Sequence, residues 1–302
     1  MNRVICLGDV MTDVVTRLSG PLAVGSDTPS AVTTGGGGSA ANTACWLAAA
    51  GVMVAFVGRV GDDEPGRAAT ASLRGAGVHL AVTIDPERPT GMCIVLVSDT
   101  GERTMLPDAG ANAGLRTTDL PVELFVEQTH LHVSGYTLLN NASRPAALAA
   151  MALARERGLS ISVDAASRAL IRGANPATFL DWLGHPLLLF ANADEAIELT
   201  GQSDPVSAAR VLSIRCGHAI VKRGPDGAVW AQRGDAVSVP TMPLSVVDST
   251  GAGDAFAAGF LAAQIGGIAP ELAIRLAHTY AARAVSQVGG RPYPAVAAGP
   301  LR

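Results

Sequence analysis

Lysine occurs once in the 302 residues, at Lys222, and charged residues of every kind make up only 16%. The 22 basic residues are outnumbered by 26 acidic ones and gather on no stretch, so a net charge of −4 argues against a nucleic-acid partner. Four cysteines (Cys6, Cys45, Cys93, Cys216) lie far apart, with neither metal-ligand nor redox spacing. Such sparse cysteine predicts a reduced, cytoplasmic protein rather than a disulfide framework. Long apolar runs are missing as well. Residues 30–58 carry no charge, but Gly35 to Gly38, Asn42 and Gly51 interrupt them, whereas a membrane-spanning helix needs about 20 continuous apolar residues. The apolar run at 4–7 is too short for a signal peptide. No repeat of 20–50 residues and no low-complexity linker is present.

Hydrophobic residues do make up 48% of the chain, enough for a sizeable core, and the length suits one large domain over residues 1–302. Short β-type runs at 4–7, 54–57, 130–134, 160–163, 187–190 and 219–222 alternate with helical stretches such as 144–157 and 205–213. That rhythm predicts an α/β fold with a mostly parallel central sheet and helices on both faces. Segments 13–34 and 90–107 show β-like alternation without helical filler, and predict a small antiparallel flap. From about residue 248 the chain turns helical, over 253–264 and 270–285.

The richest segment is Asp248-Ser249-Thr250-Gly251-Ala252-Gly253-Asp254, which leads into an apolar helix. Small residues at a helix N-terminus let backbone N–H groups approach an anion, and the helix dipole adds about half a positive charge. Asp254 reads either as a carboxylate favoured by that dipole or as a general base beside a transferring phosphoryl group. Asp248 either caps the loop or ligates a cation. A dinucleotide fingerprint is excluded, because Phe256 stands where a third small residue belongs and Asp254 would repel a pyrophosphate. A P-loop is excluded too, since Arg67 and Ala68 follow Gly61 to Gly66 and three acids fill the cradle.

Three further segments stand out. Gly35 to Gly38 with Asn42 read as a flexible loop and a tightly packed helix, or as bare backbone and an amide that meet a polyhydroxylated ligand. Asn192 and Glu195, after an apolar strand, read as a capping box or as oxygen ligands for water-mediated Mg²⁺. Gly224 and Gly227, after Lys222, read as a hairpin turn or as part of a nucleotide site.

Together these segments resemble the ribokinase-like, PfkB-type family of ATP-dependent sugar and nucleoside kinases. The likeness runs in order through Gly37-Gly38 with Asn42, Gly58-Arg59-Val60-Gly61-Asp62-Asp63, Gly101-Glu102-Arg103-Thr104-Met105-Leu106, Gly110-Ala111-Asn112, Asn192 with Glu195, 221–227 and 248–254. The resemblance implies Asp254 as catalytic base and Gly251, Ala252 and Gly253 as the anion hole. It implies Asn192 and Glu195 near the phosphates and Mg²⁺, and Lys222, Gly224, Gly227 and His278 along ATP. Asp13, Gly37, Gly38 and Asn42 would hold sugar hydroxyls, and Asp248 with Thr250 would belong to a monovalent-cation (K⁺) loop. The flap would be the family's lid and a homodimer interface. Val163 to Arg168 resembles the ketodeoxygluconate kinases but lacks their Asn and the Trp that follows. With 4% aromatic residues, Tyr136 being the one candidate to stack a base, the reading favours a free sugar as acceptor. A nucleoside kinase of the adenosine or pseudouridine type is the alternative on the same fold. A sugar-binding regulator without catalysis would not need Asp254 and its glycine loop. An NAD-dependent oxidoreductase would need a fingerprint after the first strand, where only Gly8-Asp9 stands.

Overall fold

The computed structural model describes residues 3–98, 103–126 and 129–293, so Gly101 and Glu102 of one motif lie outside the described residues. The chain runs through β1 (Arg3–Leu7), β2 (Met11–Leu18), β3 (Ser30–Gly37), α1 (Ser39–Ala49), β4 (Met53–Gly61), α2 (Glu64–Gly75) and β5 (His79–Asp85). β6 (Gly91–Val97) and β7 (Arg103–Asp108) follow, and three short 3₁₀ turns lead to β8 (Thr129–Ser134). Strands and helices then alternate through α3 (Gly135–Leu139), α4 (Arg144–Glu156), β9 (Ser160–Asp164), α5 (Arg168–Ala174), α6 (Pro176–Leu183), β10 (Leu187–Asn192), α7 (Ala193–Thr200), α8 (Pro205–Cys216) and β11 (Gly217–Lys222). A hairpin, β12 (Ala228–Gln232) and β13 (Asp235–Val239), precedes α9 (Ala252–Ile265) and α10 (Pro270–Val285).

The apolar runs become interior strands of a nine-stranded sheet in the order β13-β12-β11-β10-β9-β8-β1-β4-β5. From β11 to β5 every pair is parallel, and β12 and β13 add an antiparallel edge. Successive side chains of a strand point to opposite faces, and helices cover both. Ile5 and Leu7 of β1 and Leu187 and Leu189 of β10 join a core with α4 and α8. Val4, Cys6, Leu188 and Phe190 face the other way, into a core with α1, α9 and α10. Helix starts follow their chemistry: Asp63 and Asp204 accept the N–H groups of Gly66 and Ser207, each with a proline in the first turn.

β3-β2-β6-β7 form a separate small sheet. Its outer pairs, β2–β3 and β6–β7, are antiparallel as expected, while the central pair β2–β6 is parallel. β1 and β5 run parallel in the main sheet, so the strands that leave them emerge from the same end in the same direction. Cys93, Val95 and Val97 are buried on one face with Met11 and Val15 packed against them, whereas Val32, Ile94 and Leu106 on the other are exposed.

The base of the small sheet is tied to the main one by polar groups. Arg59 is buried and pairs with Asp85 at 2.9 Å and Asp119 at 2.7 Å. Burial opposes ionisation of Asp85, but the N–H groups of Glu87 and Arg88 and the Arg59 guanidinium hold its carboxyl down at about 2. Asp63 accepts Thr90 N–H at 2.7 Å and the Thr90 hydroxyl at 2.5 Å, just before β6. Removing Arg59 would leave two carboxylates without their buried cation, which costs about 3–5 kcal/mol. Arg59→Met should therefore lower the thermal unfolding midpoint by roughly 10 °C. Its activity at low temperature should stay near wild type, since Arg59 does not line the cavity described next. Calorimetry beside an activity assay checks both.

Candidate active site

An open cavity of about 700 Å³ lies where the carboxyl ends of the parallel strands meet the small sheet. The chain reverses its strand order about β1, which has β4 on one side and β8 on the other, and such a switch point opens a crevice at the strand ends. Asp9 follows β1, Tyr136 follows β8, and Asp164, Asn192 and Lys222 end β9, β10 and β11; all five line the cavity. Asp13, Gly38, Asn42, Glu195, Thr250, Gly251, Gly253 and Asp254 line it too.

α9 points its N-terminus into this space, and its first-turn N–H groups have no intrahelical partner. Gly251 adopts φ +71°, and a Cβ there would lie 2.5 Å from the Cα and carbonyl oxygen of Gly290. Gly251→Ala is accordingly expected to push the cradle off that loop, removing most activity and lowering the unfolding midpoint by several degrees. An unchanged midpoint would show that the two loops yield freely. A Cβ on Gly253 would meet only Lys222, its Nζ at 3.1 Å. That face of the helix end is therefore open and flanked by an ammonium group.

Asp254 stands in the first turn of α9 and caps nothing there. It accepts the Ser39 hydroxyl at 2.8 Å and the Asn42 amide at 2.9 Å. Desolvation pushes its carboxyl up to about 7; the two hydrogen bonds and Lys222 work against this, and Asp164 adds to it. A carboxylate poised there can exchange a proton near neutral pH. Lys222 Nζ lies 2.8 Å from Asp164 Oδ2. Burial disfavours its charge, but Asp164, Glu195 and Asp254 outweigh burial and hold the ammonium above its usual range.

Asn192 and Glu195 form the capping box of α7: Asn192 Oδ1 accepts Glu195 N–H at 2.9 Å, and Glu195 Oε2 accepts Asn192 N–H at 2.8 Å. Burial, with Asp164 adding, pushes the Glu195 carboxyl up to about 7. Structure and chemistry coincide here, because the box fixes a buried carboxylate at the cavity wall. Asp164, Glu195 and Asp254 exceed the one charge of Lys222, a balance that suits a divalent cation. Among the described residues no three His, Cys, Asp or Glu side chains converge to grip a metal by themselves. These groups therefore fit Mg²⁺ held largely by water and substrate phosphates.

The glycines before α1 meet the two sequence expectations only in part: Gly38 lines the cavity, as ligand-facing backbone would. Gly35, Gly36 and Gly37 are strand, not loop. A Cβ on Gly36 would lie 2.3 Å from the Arg291 guanidinium, one on Gly37 would collide with the Asp13 carboxylate, and one on Gly38 (φ +93°) would lie 2.5 Å from the Asp9 carbonyl. Their bareness makes room for the protein itself, and Gly37 does not line the cavity. Asn42 likewise spends its amide within the fold, donating to Asp254 and accepting from Arg291 Nε at 3.3 Å. Asp13, by contrast, is buried, faces the cavity, and is pushed up to about 6, chiefly by burial.

Gly224 and Gly227 shape the β11–β12 hairpin, and His278 packs its ring on Phe256 with its Nε2 buried and without a partner among the described residues. None of the three lines the cavity, and nor do Ala252 and Asp248. Asp248 caps its loop, accepting the N–H groups of Thr250 at 2.6 Å and Gly289 at 2.9 Å, and pairs with Arg103 at 2.5 Å. The donor set expected to hold K⁺ thus faces a guanidinium. Sequence reading assigned no role to Asp9, Ser39, Asp164 or Arg291. Asp9 accepts Ser39 N–H at 2.8 Å and so seats α1 under Asp254. A polar residue directly after an apolar strand was the available signal for Asp9 and Asp164; Arg291 had none.

A model described as "pfkB family carbohydrate kinase" matches residues 1–296. The chain belongs to this family. It is an ATP-dependent sugar kinase of the ribokinase type. The ATP-dependent ribose-1-phosphate kinase of Halopiger xanaduensis is 33% identical, over 97% of this chain and 95% of that one. A fructokinase of Klebsiella pneumoniae is 32% identical over 84% and 86%. The crystal structure of adenosine kinase from Sinorhizobium meliloti superposes with a TM-score of 0.86 at 26% identity, covering 97% of the kinase and 96% of that chain. The small sheet beside the main one is thus part of a kinase fold.

Proposed function

We propose that the kinase transfers the γ-phosphoryl group of ATP to a hydroxyl of a small neutral sugar, with Asp254 as general base. The observation that carries this reading is the Asp254 carboxylate, set by Ser39 and Asn42 beside the N-terminus of α9 and raised to about 7. A sugar hydroxyl brought against Asp254 would give up its proton as its oxygen attacks the γ-phosphorus. The backbone N–H groups of Gly251, Ala252 and Gly253, with Lys222 beside them, would stabilise the charge on the transferring group. Mg²⁺ would neutralise phosphate charge when bound with ATP near Asn192 and Glu195. Gly224, Gly227 and His278 lie on elements toward which the nucleotide would extend from the cradle.

Two features support a neutral acceptor. Asp9, Asp13, Asp164, Glu195 and Asp254 line the cavity against Arg103 and Lys222, and both cations are already paired. An anionic acceptor would meet net repulsion. Among the described residues Tyr136 is the one aromatic side chain lining the cavity, a poor platform for a nucleoside base. Asp13 and Gly38 would contact the sugar directly, while Gly37 and Asn42 would position Asp13 and Asp254.

The small sheet serves as a lid over the acceptor, excluding water and so suppressing ATP hydrolysis. Its exposed apolar face, with Val32, Ile94 and Leu106, suits a homodimer interface. Sedimentation should find a dimer that Ile94→Glu converts to a monomer. Four free, buried cysteines suit the reducing cytoplasm, and no helix among the described residues is long and apolar enough to cross a membrane.

The deciding assay is ADP release with Mg²⁺ against free pentoses and hexoses, ribose 1-phosphate and nucleosides. Stimulation by a free sugar is expected. Stimulation confined to ribose 1-phosphate or to nucleosides would keep the chemistry and overturn the neutral-sugar assignment. Sugar binding without turnover would point to the regulator.

A further inference from the structure

Arg103 opens β7 of the lid, yet its guanidinium leaves that sheet and ends on the loop just before the cradle. It lies 2.5 Å from Asp248 Oδ1, and its Nη1 donates to the hydroxyls of Thr250 at 2.7 Å and Ser249 at 3.2 Å. Asp248 is buried, and both of its oxygens already accept backbone N–H groups, from Thr250 and from Gly289. A monovalent cation requires oxygen lone pairs converging on one point. Here the lone pairs left free by those N–H donors face the Arg103 guanidinium, and a second cation beside it would meet a like charge within a few ångströms, with no further carboxylate among the described contacts of this loop. The donor set does not fit K⁺.

The loop matters because of what it adjoins. Asp248 ties residues 248–250 to Gly289, and Gly290 is the wall against which Gly251 is wedged. A charge that fixes Asp248 therefore fixes the backbone of the cradle. We propose that Arg103 takes the place of a monovalent cation at the Asp248–Thr250 loop, so that the charge steadying the anion hole is delivered by the lid itself. Acceptor binding that seats the lid then completes the phosphate cradle in the same movement, and an open lid leaves it unsteadied. This rests on reading Gly251 to Gly253 as the anion hole.

The test compares wild type, Arg103→Met and Arg103→Lys in KCl or in choline chloride at constant ionic strength. Two quantities are read: kcat/KM for ATP with acceptor present, and the unfolding midpoint without nucleotide. Wild type should be indifferent to K⁺ in both. Arg103→Met should lose about tenfold or more in choline, regain several-fold as KCl is raised, and gain a K⁺-dependent rise in midpoint, because Asp248 and Thr250 are then open to the ion. Arg103→Lys, which keeps a charge, should fall between. Wild-type enzyme activated or stabilised by K⁺ would overturn the proposal. So would an Arg103→Met enzyme as active as wild type in choline, or one indifferent to K⁺. Failure of the anion-hole reading is distinguishable: wild type would show no acceptor-stimulated ADP release in either salt, while the unfolding midpoints would still decide whether the loop takes K⁺.

Discussion

Asp254→Asn is expected to lower kcat about a thousandfold, within the range that a positioned general base contributes, with the KM for ATP nearly unchanged. The carboxylate accepts from Ser39 and Asn42, so in the variant the amide oxygen keeps the Asn42 bond while its NH2 faces the Ser39 hydroxyl, which must turn from donor to acceptor. Asp254→Ala separates the two effects, and a similar loss in both variants assigns it to the missing base. The wild-type pH profile carries the same information. Burial raises the Asp254 carboxyl to about 7, and a base must be ionised to accept a proton. Thus kcat/KM should fall as pH drops through about 7 and level off above it. Glu195, raised to about 7 by burial and by Asp164, titrates in the same window and should steepen that limb towards two protons. In Asp254→Asn the residual limb should flatten to the slope of Glu195 alone. A wild-type profile flat from pH 6 to 8 would remove Asp254 from the role.

Lys222→Met is the second large effect. The ammonium bridges the buried Asp164 and the open face of Gly253, so one side chain serves both stability and phosphate binding. The KM for ATP should rise about tenfold and kcat should fall about a hundredfold, while the KM for the sugar changes little. An unchanged KM for ATP would sink the assignment. Asp164 and Glu195 would also be left as buried carboxylates without their cation, which costs about 3 kcal/mol and appears as a lower unfolding midpoint. Pairing Lys222→Met with Asp164→Asn should restore much of that midpoint by removing the stranded charge, yet leave the catalytic loss in place. A double variant that regained activity would show that Lys222 acts only as a partner of Asp164.

Arg59 and Lys222 both pair with acids, but their expected phenotypes differ because of where their partners stand. Arg59 joins Asp85 and Asp119 away from the cavity, and its loss should show in melting alone. The motif that contains Arg59 resembles the family as clearly as the cradle motif does, so motif strength does not separate structural from catalytic arginines; position does.

The α/β alternation, the parallel sheet and the glycine-rich start of the helix at 252–265 were legible in the residues alone. Those features depend on local periodicity, on apolar strands buried on both faces, and on small residues at a helix start, all of which are written in consecutive residues. Local sequence also marked Asp254, Lys222, Asn192 and Glu195, since each lies beside a strand end or a helix start. What those groups touch emerges only in the folded chain. Asn42 and Ser39 reach Asp254 across more than two hundred residues of chain, and Arg291 clears its path through Gly36 from near the end of the described residues. Arg103 meets Asp248 only because β7 folds back over the cradle. Contacts between residues so distant in sequence leave no periodicity and no spacing to read. They form only once the two sheets and α9 are brought together, and they convert a glycine-rich helix start into a charged, partly dehydrated site.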